Sequence, residues 1–360
     1  MKILHIAKYY PPEAGGIEAL TKMYYDHLSK KNYKFEMVCF SDKPGKCKSQ
    51  HKNIRFFKTN FKLFSAPFSF NYFFFLINNL KKYDAVNIFL PNPFAVLILL
   101  FFFNKKIFIT WGSDIINQKI SKIFFNNIQN LFLAKSEKII VLSERYAKTS
   151  KDLSNYLSKT VYIPPFLSEQ DVSIKLKSFK KKKRLVTIGR LVNYKNHDLL
   201  LDVMMKLDNG YKLYILGGGE NFFKLARKIK KNHLQKKVFL MGKVSEKLKN
   251  KIMKHSDAFI MSSNTRAESF GIVILEAIKT GLPLIIPNVN GSGMLDMIQE
   301  GYNGYIYKNN DTNDCKEKIL TLFSDKSKYI QYRYNSINLF NKKFSEKING
   351  YKLDKIFYEK

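Results

Sequence analysis

Acid is what this chain has little of: 29 Asp and Glu stand against 62 Lys and Arg in 360 residues, a formal net charge of +33. Three readings of that imbalance stay open: an anionic membrane surface, nucleic acid, or the codon bias of a genome that also favours Asn, Ile, Phe and Tyr. The excess is spread over both halves and no aromatic-spaced nucleic-acid motif accompanies it, so no nucleic-acid partner is expected. Cysteine is sparse as well. Cys39, Cys47 and Cys315 are scattered without metal-ligand spacing, which excludes a disulfide framework and points to a reducing, cytoplasmic compartment. Long apolar runs are missing: the most apolar, Phe94 to Phe103, is half of the roughly 20 residues that a membrane span needs, and a buried helix is the expectation there. Phe61 to Leu80 is rich in phenylalanine but broken by Pro67 and Asn78-Asn79. No signal peptide is expected, because Lys2 to Ala7 reads as a first strand running into a Pro/Gly loop. An Asp-x-Asp metal pair is absent, and the first glycine loop lacks the complete Gly-x-Gly-x-x-Gly of a dinucleotide dehydrogenase.

What is present is a regular alternation. Lys2 to Ala7, Phe35 to Phe40, Ala85 to Phe89, Ile107 to Ile109 and Ile139 to Leu142 read as strands, each followed by a stretch of helical length. The pattern breaks at Ile163-Pro164-Pro165 and a block of lysines ends at Arg184. A second series follows: Leu185 to Ile188, Lys212 to Leu216, Val238 to Leu240, Ala258 to Met261 and Leu284 to Ile286. The expectation is an α/β chain of two doubly wound domains, 1–166 and 185–339, with 167–184 as linker and a C-terminal helix, 340–360, folding back on the first domain. Ligands of such sheets bind at the carboxyl ends of the strands, which places the site in the cleft between domains.

Glu268 and Glu276 are separated by seven residues, the first at a loop-to-helix junction beside Gly271 and the second two turns into the helix. Two carboxylates and the amides of a helix start suit a sugar nucleotide: one acid for sugar hydroxyls, one for ribose, the amides for phosphate. An ordinary amphipathic helix would space its acids the same way. Arg190 and Lys195 follow a strand end, where two fixed cations can neutralise a diphosphate, or simply be solvated. The glycine loops Gly15-Gly16 and Gly217-Gly218-Gly219 also follow strands, and either is compatible with a plain tight turn.

Taken together, Gly189-Arg190-Leu191-Val192-Asn193-Tyr194-Lys195, Gly217-Gly218-Gly219-Glu220, Thr265 to Ala277, and Gly15-Gly16-Ile17-Glu18 resemble, in order and separation, the family 4 glycosyltransferases. Asp296 to Gly304 is similar to that family's closing signature, with Asp296 where a glutamate is more usual. The resemblance covers nearly the whole chain. It implies a GT-B fold, two Rossmann-like domains facing each other across a cleft, and retaining transfer of a hexose from a nucleotide-diphosphate sugar to a saccharide or lipid-linked acceptor. The pathway expected is lipopolysaccharide, O-antigen or capsule assembly, peripheral at the inner face of the membrane, with no cofactor or metal.

Residue by residue, the resemblance implies that Arg190 and Lys195 hold the diphosphate and Glu276 the ribose. It also implies that Glu268, with the backbone of Ser269, Phe270 and Gly271, holds the transferred sugar, and that the amides of Ile272 and Val273 meet the phosphates. Gly242 and Val244 would flank the base, and Gly16 would face the donor from the first domain beside Gly15. In Thr110-Trp111-Gly112-Ser113-Asp114 either Trp111 or Gly112 stands where the family often has a histidine, and Asp114 either orients the site or caps a helix. The alternative within this fold is a nucleotide-sugar epimerase.

Overall fold

The structure is a computed structural model that describes residues 1–11, 15–41, 52–63, 66–114, 119–169 and 183–359, without the side chains of 119–126. It divides into two compact units, Met1–Phe166 with Glu346–Lys360, and Leu167–Ser345. Both are doubly wound, with every strand of each main sheet parallel to its neighbours.

In the first unit the strands are β1 Ile3–Tyr9, β2 Phe35–Ser41, β3 Ile54–Lys58, β4 Phe61–Leu63, β5 Ala66–Phe68, β6 Ala85–Leu90, β7 Lys106–Trp111, β8 Lys138–Val141 and β9 Thr160–Tyr162. Seven of them form the sheet β3-β2-β1-β6-β7-β8-β9, while β4 and β5 make a separate antiparallel hairpin. Leaving β1 the order runs one way through β2, and from β6 the other way, so the β1/β6 boundary is the topological switch point where such sheets open for ligands. The central strands β1 and β6 are buried along nearly their whole length, as a sheet covered on both faces requires. The helices are α1 Gly16–Leu28, α2 Phe70–Asn79, α3 Pro93–Phe102, α4 Lys119–Lys135 and α5 Glu144–Lys148. Ser69 caps α2 by accepting from the Tyr72 amide, and a proline opens α3 at a position where no backbone donor is lost.

The expected C-terminal helix is two helices: Lys326–Lys343 ends at Phe344, and Glu346–Phe357 alone lies in the first unit. There Phe357 stands edge-on to His5 and Phe108, at 5.2 and 5.4 Å between ring centres. His27 on α1 meets Glu346 at 3.0 Å and Asp354 at 2.9 Å, one carboxylate on each ring nitrogen. A methyl group at Gly350 would come within 2.5 Å of the His27 ring, so the helix seats closely on α1.

The second unit is the six-stranded sheet β12-β11-β10-β13-β14-β15, with β10 Lys183–Ile188, β11 Tyr211–Leu216, β12 Val238–Gly242, β13 Ala258–Ile260, β14 Leu284–Asn288 and β15 Gly304–Lys308. Lys183 and Arg184, expected in the linker, are the first residues of β10, where they pair with Tyr211 and Lys212; the rest of the charge block, 180–182, lies outside the described residues with linker residues 170–179. The helices are α6 His197–Lys206, α7 Phe222–Lys231, α8 Glu246–His255, α9 Ile272–Lys279, α10 Thr312–Ser324 and α11 Lys326–Lys343. Leu199, Leu213, Ile215, Ile260, Ile285 and Ile319 are among the residues of its core.

Candidate active site

The carboxyl ends of β10, β11 and β12 are stitched into one floor. The Gly189 amide donates to the Leu216 carbonyl at 2.9 Å, Leu191 to Gly218 at 2.9 Å, and Gly217 to Gly242 at 2.8 Å. The glycines are steric requirements here. At Gly217, with φ +142°, a Cβ would lie 1.8 Å from the Gly189 carbonyl oxygen, and at Gly219, with φ +156°, 2.5 Å from that of Leu191.

Over this floor lies Lys195. Its side chain passes Gly189, where an added Cβ would sit 3.4 Å from Lys195 Cε and Nζ, and ends in an ion pair with Glu268. Both partners are nearly buried. Ser263 Oγ donates to the same Glu268 oxygen at 3.3 Å, and Ser262 Oγ fixes the Lys195 carbonyl at 2.7 Å. From the other side Ser292 Oγ donates to the Glu268 carbonyl at 2.6 Å, and the Gly293 amide to that of Ser269 at 2.9 Å. The loop 268–271 is therefore held by side chain and backbone, and Phe270 anchors it by burial.

Gly271 is the residue before α9, at φ +84°, a left-handed conformation that a side chain would strain. The Ile272 and Val273 amides fall in the first turn, where no intrahelical acceptor exists. Glu276 is the fifth residue of α9, so it lies in the second turn and not two full turns along. It is not alone: Lys249 on α8 stands 2.8 Å from each Glu276 carboxylate oxygen and 2.9 Å from Glu246. Only one of those oxygens receives a well-directed hydrogen bond, and Oε2 is buried without one. Burial raises the Glu276 carboxyl above the ordinary range against the pull of Lys249. Burial also works to lower the Lys249 ammonium, but Glu276 and Glu246 together hold it above its usual value.

Of the residues named from sequence, the second unit thus joins Lys195 to Glu268 directly and places Ser269, Phe270, Gly271, Ile272, Val273 and Glu276 on one continuous loop and helix. Arg190 follows β10 with its side chain exposed. Gly242 ends β12 at φ +64°, with Val244 just beyond it. Lys249 and the hydroxyls of Ser262, Ser263 and Ser292 were not singled out in the sequence. No spacing rule marks them: Lys249, Ser262 and Ser292 act on residues 24 or more positions away, and Ser263 reaches Glu268 across a loop of no regular period.

The first unit assembles a different cluster. A Cβ on Gly112 would meet the Leu90 carbonyl at 2.8 Å and Ile17 at 3.1 Å, so this strand end lies directly against the start of α1, and Gly16 there has open space around its Cα. Trp111 is buried, and its indole N–H donates to Asp114 at 3.2 Å; Ser150 Oγ donates to the same oxygen at 2.7 Å, and the Asp114 amide donates to Tyr146 Oη at 2.8 Å. Asp114 therefore fixes Trp111. Its expected role as a helix cap concerns 115–118, outside the described residues, as do residues 12–14 of the first glycine loop. Among the described residues no group of three His, Cys, Asp or Glu is gathered as for a metal ion, and no helix is long and apolar enough to cross a membrane.

Residues 168–339 match the family model of glycosyl transferases group 1. Over nearly its whole length the chain is similar to the O-antigen chain mannosyltransferase C of Escherichia coli, 26% identical with 96% of this chain and 95% of the relative covered. The D-rhamnosyltransferase WbpZ of Pseudomonas aeruginosa is 29% identical over 58% of this chain and 56% of its own. Among solved structures, HepE of Anabaena in complex with UDP superposes with a TM-score of 0.81 at 16% identity, covering 99% of each chain. The lipopolysaccharide outer core galactosyltransferase WaaB superposes at 0.72 and 18%, covering all of both chains.

Proposed function

We propose that this chain, a glycosyltransferase of GT-B fold whose residues 168–339 carry the group 1 match, is a retaining hexosyltransferase of family 4 in O-antigen or capsule assembly. It uses a nucleotide-diphosphate sugar, needs no metal, and works peripherally at the inner, anionic face of the cytoplasmic membrane on a saccharide or lipid-linked acceptor taken by the first unit. A relative similar over nearly the whole chain is an O-antigen chain mannosyltransferase, and HepE is bound to UDP, which support this class of donor and product.

The observation that carries the reading is the Lys195–Glu268 pair at the mouth of α9, with Glu276 in the same helix. In the transfer the bond from the anomeric carbon to the diphosphate oxygen breaks, and its electron pair leaves on the diphosphate. A bond from the acceptor oxygen forms on the same face, and the acceptor proton passes to the departing phosphate oxygen. Charge builds on the diphosphate, where Arg190 and the Ile272 and Val273 amides meet it. Lys195 is balanced by Glu268, yet an ammonium has three donors, so the same Nζ can serve the Glu268 carboxylate and the donor phosphate together. Glu268 then orients the sugar hydroxyls. Glu276 Oε2, buried and lacking a directed donor, is the acceptor that a ribose hydroxyl would satisfy.

A thermal-shift screen against a panel of nucleotide sugars tests this. A stabilising hit is expected, abolished in Glu276→Ala and Arg190→Ala. Full shifts in both variants would remove the donor-site assignment, and an isomerised sugar nucleotide formed from donor alone would replace transfer with epimerisation.

A further inference from the structure

The first unit carries an outer helical layer, α2 against α3 and α3 against α4, whose exposed residues are of an unusual kind. Phe101 is 80% exposed, Leu131 65% and Phe74 58%, with Phe70 and Phe102 each more than half exposed. Phe70 and Phe74 are four apart and so share one face of α2. Phe101 and Phe102 end α3, and Leu131 lies on the neighbouring α4. Aromatic side chains on this scale are not left in water by a soluble surface without a partner.

The cations stand at the same place. Lys135 Nζ donates to the Phe103 carbonyl at 2.6 Å, immediately beside the exposed end of α3. Lys105 Nζ donates to the Tyr83 carbonyl at 2.8 Å and the Lys81 carbonyl at 3.1 Å, closing the end of α2, where Lys81 and Lys82 are themselves exposed. Acid is sparse there: between Asp42 and Asp114 the one carboxylate is Asp84, which accepts the Lys2 amide at 2.6 Å, and the next after α4 is Glu137.

We propose that this face, the exposed ends of α2 and α3 with α4, seats the protein on an anionic lipid bilayer, with Phe101, Phe102 and Leu131 entering the headgroup boundary and Lys81, Lys82, Lys105 and Lys135 meeting lipid phosphates. This rests on the peripheral-membrane part of the proposed function and names the surface that performs it. A protein partner fits less well, since lysine is depleted at protein interfaces and cations here far outnumber acids. At a bilayer a lysine stem lies along the apolar boundary while its ammonium stays with the headgroups, and aromatic rings occupy that same depth.

The test is co-sedimentation of the full chain with vesicles of phosphatidylcholine alone or mixed with phosphatidylglycerol, at about 0.15 M salt. Sedimentation is expected with the anionic vesicles only. The double substitution Phe101→Ser, Phe102→Ser should lower partitioning by on the order of ten-fold. Phe223→Ser, which removes an equally exposed ring from α7 of the second unit, should leave it unchanged. Three results would overturn the proposal: no binding to anionic vesicles, binding indifferent to Phe101 and Phe102, or equal loss in Phe223→Ser. An oligomer in vesicle-free buffer that the double substitution dissolves would reassign the face to a second copy of the chain. The nucleotide-sugar thermal shift is expected to be the same in all these variants, so failure of the donor reading shows there and failure of the surface shows in the vesicles.

Discussion

Lys195 and Glu268 form an ion pair across 73 residues of sequence, with side chains 8% and 12% exposed. The expectation from sequence gave Lys195 to the diphosphate and Glu268 to the sugar as separate tasks. The pair makes them one unit, and its excess charge is near zero until a ligand arrives. Glu268→Gln and Lys195→Met should each lower turnover by about 10²-fold, the scale of one lost preorganised donor or acceptor. The double variant should lose little more than the worse single one, because each removes the same coupling. Strictly additive losses in steady-state rates would show that the two residues act independently.

Lys249 and Glu276 offer a different kind of test. Burial raises the Glu276 carboxyl and Lys249 opposes that rise, so Lys249→Met should raise it further. Nucleoside-diphosphate affinity, measured by calorimetry across pH, should therefore fall off at higher pH in Lys249→Met than in the parent. The phosphate groups titrate identically in both, so their contribution cancels in the comparison. Superimposable pH profiles would mean that the ionised form of Glu276 is not what binds.

Gly217→Ala places a Cβ 1.8 Å from a backbone oxygen that is already fixed by the β10–β11 register. Backbone has to move, at a cost of roughly 3 kcal/mol or more. A clear drop in the thermal midpoint of the second unit is expected. Gly16→Ala, which has open space, serves as the benign counterpart.

His5 lies buried in the first unit, accepting from the Asn87 amide at 3.2 Å and edge-on to Phe35 and Phe357. Burial lowers it from 6.5 to about 3. The unfolded chain therefore takes up a proton that the folded unit refuses. Stability from this group is complete above pH 6.5 and is lost as pH falls toward 3, in total on the order of 5 kcal/mol. His5→Phe should flatten the fall of the unfolding midpoint over that acid range. An unchanged slope would assign acid sensitivity to other groups, among them His197, which burial and then Lys195 lower to about 4.

Ten of the strands were legible because they are continuous apolar runs destined for the interior of parallel sheets. The five that were not are short or at edges: Thr160–Tyr162, Phe61–Leu63 and Ala66–Phe68 have three residues each, Ile54–Lys58 carries charge on an edge, and Gly304–Lys308 reads as part of a glycine turn. Of the site, the loop 268–276 was visible as a spacing of acids around a glycine. Lys249 was not. It reaches Glu276 only because α8 packs on β10 and α9 on β14, the two strands flanking β13, and nothing in either helix alone points to the other. The same holds for Asp114, whose bond to Trp111 is local but whose hold on Ser150 depends on where β8 leads the chain.

The helix Glu346–Phe357 gives the first unit residues that are made only after the whole of the second. Phe357 rests against β1 through His5 and β7 through Phe108, and both nitrogens of His27 wait for Glu346 and Asp354. During synthesis the second unit, 167–345, has all its residues before the first unit does. The first unit therefore completes its folding after the second, and a chain cut short before residue 346 would leave it with an open flank at α1 while the second unit closed normally.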